Sequence, residues 1–81
     1  MNTAEEIALL REFERDLHDL CQPVTSLHCR LELARLDGGE EALLEATDGA
    51  LEDARKIFWV IGRMRERLIV EGSRATESVR R

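Results

Sequence analysis

Residues 10–39, LREFERDLHDLCQPVTSLHCRLELARLDGG, decide the fold. Within them Leu10, Phe13, Leu17, Leu20, Val24, Leu27, Leu31 and Ala34 follow one another at alternating steps of three and four. That is the heptad pattern of a helix laying one apolar stripe against a neighbour. Asp37-Gly38-Gly39 should close it, because glycine takes the left-handed backbone of a helix C-cap without steric cost. Upstream, Thr3-Ala4-Glu5-Glu6 reads as a capping box, with the Thr3 hydroxyl accepting from the Glu6 amide and the Glu6 carboxylate reaching back. One helix of about 50 Å is expected from Thr3 to the glycines.

Beyond the glycines the pattern resumes at Leu43, Thr47, Ala50, Ala54, Ile57, Ile61, Met64 and Leu68, and Leu44, Leu51 and Phe58 widen it on one flank. Gly49 and Gly62 each weaken such a helix by up to ~1 kcal/mol relative to alanine. Either allows close helix approach or bending. Gly72 is expected to end the second helix, which makes residues 1–72 the domain and 73–81 a polar C-terminal tail. Two long helices joined by a tight turn form an antiparallel hairpin, and a stripe this wide needs more than one neighbour. The expected architecture is all-α: a two-helix hairpin that homodimerises into a four-helix bundle.

Composition agrees with this. The chain is 43% hydrophobic and 36% charged with few aromatics, as long amphipathic helices are and sheets are not. A chain of 81 residues buries too little surface to be comfortable alone. A net charge of −5 excludes a general nucleic-acid binder. No apolar run is long enough to span a membrane, and the N-terminus lacks the basic and apolar regions of a signal peptide. A cytoplasmic protein is expected. Cys21 and Cys29, eight apart on a rigid helix, are too distant for an intrachain disulfide and read as reduced thiols.

The first helix also carries Leu17-His18-Asp19-Leu20-Cys21-Gln22-Pro23. Proline inside a helix costs about 3 kcal/mol, and a functional site is the usual reason such a cost persists. His18 lies off the apolar stripe and toward solvent. Its imidazole offers a neutral nucleophilic nitrogen near pH 7 if an acceptor fixes the tautomer, and Asp19 is the candidate acceptor. Gln22 stands one turn on, on the same face as His18.

This stretch resembles the phosphoacceptor box of bacterial sensor histidine kinases: His, then Glu or Asp, two variable residues, Thr, Asn or Gln, and Pro. Arg63-Met64-Arg65-Glu66-Arg67-Leu68-Ile69 is similar to a pattern near the end of the second helix in the same family. The resemblance covers about Thr3 to Gly72 and implies a dimerisation and histidine-phosphotransfer domain of a two-component system. It implies that His18 accepts phosphoryl, that Asp19 also serves as base, and that Asp19 and Gln22 take part in dephosphorylating a partner response regulator. Family kinases continue into an ATP-binding domain, and nothing after Leu68 looks like one. The chain is therefore not expected to phosphorylate itself unless such a domain acts in trans. The expected partners are a second copy of the chain and a response-regulator receiver domain, with neither nucleic acid nor membrane. No cofactor and no metal is expected, since His28 and Cys29 form no paired ligand spacing with His18 and Cys21. An alternative of another class stays open: a non-catalytic helical bundle that docks kinases or response regulators.

If the turn centres on the two glycines, His18 lies level with Trp59. The stripe then places Trp59 and Val60 on the outward side, with Arg55, Lys56 and Arg63 nearby. Trp59 reads either as an anchor for a protein partner or as peripheral core over a bundle groove. The three basic residues either attract phosphate or an acidic pocket, or simply solvate the face.

Overall fold

A computed structural model of the chain describes the backbone of residues 3–80 and side chains through residue 74. Two helices account for it, α1 at Thr3–Asp37 and α2 at Glu40–Arg80. They pack as an antiparallel hairpin in a rod with extents of 63 × 19 × 12 Å. Among the described residues, no helix is long and apolar enough to cross a membrane.

The connection is as tight as the glycines allow. Gly38 adopts φ +74°, the left-handed region, and its N–H donates to the Ala34 carbonyl at 2.9 Å. The Gly39 N–H donates to Asp37 Oδ1 at 3.0 Å, and its carbonyl accepts from the Leu43 N–H at 3.1 Å, opening α2. The C-terminal end of α1 is thus capped within the turn.

Gly72 does not end the second helix as expected; α2 runs through it to Arg80. Glycine only weakens a helix, and without a positive φ there is no stop signal: Gly38 is the glycine with one.

The line along which the helices meet differs from the sequence stripe. Phe13, Leu20 and Leu27 are half-buried and Ala34 is buried, but Leu10, Leu17, Val24 and Leu31 remain between 46% and 67% exposed. On α2 the buried residues are Ala46, Asp53 and Val60, each one position before Thr47, Ala54 and Ile61 of the expected seam. The seam is rotated by about one residue because charged side chains hold its centre. Asp16 and Asp53 are both buried, and each meets an arginine from the other helix. Bulky aliphatics are left on the flank. Val60, expected outward beside Trp59, is consequently buried.

The flanks divide cleanly. At about 100° per residue, Leu17 and Asp19 stand on opposite sides of α1, and Ile61 and Trp59 on opposite sides of α2. Asp19 and Trp59 line one cleft. Leu17 and Ile61 therefore share the opposite face, together with the heptad-spaced Leu10, Val24 and Leu31.

Candidate functional site

Pro23 and Val60 are buried facing one another across the seam, and between them opens a cleft of about 410 Å³. One rim carries Asp19 and Gln22 from α1; the other carries Arg55, Lys56 and Trp59 from α2. Pro23 does not stop α1, and its ring forms part of the floor. Because proline has no N–H, the Asp19 carbonyl loses the donor that residue 23 would otherwise supply.

The residues of the box separate. His18 is exposed and lies outside the lining of the cleft, whereas Asp19 and Gln22 stand on its rim. Asp19 is turned across the seam: its Oδ2 accepts from Arg63 Nη2 at 2.9 Å. The same nitrogen donates to Asp16 Oδ1 at 2.8 Å. Arg67 joins the network by donating from Nη1 to Asp16 Oδ2, and its Nε lies 3.1 Å from Glu12 Oε2. Two arginines thus neutralise a buried carboxylate, without which Asp16 would carry an uncompensated charge out of water.

Arg63 ties this network to the cleft. Its guanidinium carbon sits 4.7 Å from the centroid of the Trp59 ring, within the range of cation–π attraction. Hydrogen bonds first to Asp19 and then to Asp16 raise it above its ordinary range, so it stays a cation at every accessible pH. Trp59 itself is 65% exposed on the rim. Of the basic residues expected to face outward, Arg55 does so, paired with Glu52 at 2.9 Å, whereas Arg63 is held within the seam. Cys21 and Cys29 are both exposed free thiols. Among the described residues, no group of three or more His, Cys, Asp or Glu side chains is placed to hold a metal ion.

Asp16 and Arg67 escaped the sequence reading. Their signal was present in charge pattern: acids at 12, 16 and 19 on α1 stand opposite arginines at 63 and 67 on α2, and the polarity reverses at Arg30 and Asp53. Comparison with protein-family models, curated proteins and solved structures finds no match.

Proposed function

We propose that the chain is a histidine phosphoacceptor domain of the two-component type, in which His18 exchanges phosphoryl with a receiver-domain aspartate. The observation that carries this reading is the placement of the box. An exposed His18 stands on the first helix of a helical hairpin, one residue from an acid and one turn from an amide that border a cleft between the helices. An accessible imidazole is what in-line attack on phosphorus requires. Gln22 is placed to hold a water or donate to a phosphoryl oxygen, and Trp59, Arg55 and Lys56 offer an aromatic and cationic rim to an acidic partner. The phosphoryl group would come from a receiver domain or from an ATP-binding domain in trans, in a cytoplasmic setting.

The working form in this proposal is a homodimeric four-helix bundle. The hairpin exposes 6765 Å², where a folded monomer of its mass exposes about 5,000 Å². Part of the excess lies on the face of Leu10, Leu17, Val24, Leu31 and Ile61, and a two-fold pairing of hairpins would cover it.

A second reading, a bundle that docks partners without chemistry, is favoured by one observation: the cleft is walled by Trp59, Pro23 and Val60 while His18 lies outside it. The test separates the two. Incubation with a phosphorylated receiver domain should place an acid-labile label on the wild-type chain and none on His18→Ala. Binding of the receiver without any label would establish the docking reading instead.

A further inference from the structure

His18 and Asp19 are adjacent in sequence yet stand about 100° apart around α1. His18 is exposed, and Asp19 is drawn to the seam by Arg63. The hold is lopsided. Arg63 Nη2 is shared between Asp16, which is buried and must stay paired, and Asp19, whose side chain is 42% exposed and is stable in water alone. The third contact of Arg63 is the ring of Trp59, out on the rim of the cleft.

We propose that Arg63 is a positioning residue that holds the Asp19 carboxylate toward α2 and off the His18 imidazole, so that His18 gains its acidic partner when Arg63 releases it. The inference rests on the phosphoacceptor reading above for its consequence. Of the two acids on Nη2, Asp19 is the one that water can take over. Arg63 does not itself line the cleft, but Trp59 does, so a partner seated there that moves the Trp59 ring would loosen the hold of the guanidinium. Arg63 thereby couples occupancy of the cleft to the orientation of the acid beside His18. The other charged neighbours of His18 on its own helix are Glu14 and Arg15, and from α2 Glu66 and Arg67 stand on the turns around Arg63.

The experiment is a titration of the His18 imidazole by NMR in the full chain, with His28 as internal reference, for wild type, Asp19→Asn, Arg63→Gln and the double variant. A carboxylate beside an imidazole favours the imidazolium and raises its pKa. If Arg63 holds Asp19 away, Asp19→Asn should leave the His18 titration nearly where it was. Arg63→Gln should raise it, partly through loss of a cation and partly through the freed carboxylate. The second part should vanish in the double variant. The proposal is overturned if Asp19→Asn alone lowers the His18 titration as far as Arg63→Gln raises it, or if Arg63→Gln and the double variant coincide. Should Arg63→Gln lose its helical circular dichroism, the comparison of Asp19→Asn with wild type still decides. The titration is independent of phosphoryl chemistry. The expected titration without any label on His18 would therefore sink the phosphoacceptor reading and leave the hold on Asp19 standing, and the reverse pattern would do the opposite.

Discussion

The side chain of Arg30 fills the space that a Cβ on Gly49 would take, with its Cδ, Nε and Cζ 2.5–2.6 Å from that point. The missing side chain is what lets Arg30 cross α2 and donate from Nε to Asp53 Oδ2 at 3.2 Å. Asp53 is buried, and Arg30 is the cation paired with it. Gly49→Ala should gain up to ~1 kcal/mol of helix propensity but push Arg30 off the carboxylate, a loss of about 1–3 kcal/mol for a buried charged acceptor. A net destabilisation is expected in urea unfolding, and adding Asp53→Asn should recover part of it. A more stable Gly49→Ala would show that Arg30 reaches Asp53 by another route.

Gly62 is the contrasting case. Nothing lies within 4 Å of where its Cβ would be, and its φ is not positive. Gly62→Ala should therefore stabilise the protein by about 0.5–1 kcal/mol, read as a later thermal midpoint at matched concentration. Absence of any gain would mean that the bare position is covered in the assembled protein.

The exposed heptad stripe predicts the assembly state. Sedimentation at micromolar concentration should give close to twice 9.3 kDa. Leu31→Glu, thirteen residues from His18 on the apolar face, should shift the mass toward one chain and lower helicity together. A wild-type monomer with full helicity would remove the basis for the bundle.

Pro23 should reveal what the helix gives up for the site. Pro23→Ala restores a donor for the Asp19 carbonyl, a gain of up to about 3 kcal/mol, and loses a buried ring worth roughly 1 kcal/mol. The variant should be more stable than wild type in denaturant at fixed chain concentration. Equal or lower stability would show that the contact of the ring on the cleft floor outweighs the helix defect.

Gln22 separates transfer from hydrolysis. It stands exposed on the rim of the cleft, whose lining does not include His18. Gln22→Ala should leave acceptance of phosphoryl by His18 largely intact and slow loss of phosphate from the partner aspartate, by roughly the 10²–10³ that one positioned polar group contributes. Equal effects on both reactions would make its role structural.

The two helices and their turn could be read from Leu and Gly positions alone, because periodicity and φ preference are local properties. Which neighbour covers which apolar residue could not. Leu17 and Leu20 belong to the same heptad stripe, yet Leu20 is half-buried by the seam and Leu17 is left on the flank. A heptad states how wide a stripe is and not where its centre falls. Here the centre was taken by Asp16 and Asp53, residues that a hydrophobicity pattern assigns to the surface and that only their opposite-charge partners across the hairpin bring inside. The same blindness put Val60 outside and left Arg63 among the free surface cations. Gly72 misled for a simpler reason: its residue type matched a helix stop while its backbone did not.

The division of charged from greasy contacts also bears on recognition between subunits. The ion pairs that fix the register of the hairpin, from Glu12 and Asp16 with Arg67 to Arg30 with Asp53, are all consumed within one chain. What the proposed second copy would meet is a stripe centred on leucine, valine and isoleucine. In the proposed dimer, a cell holding several related hairpins would sort them largely by the fit of side-chain shapes, by where a Leu stands against a Val.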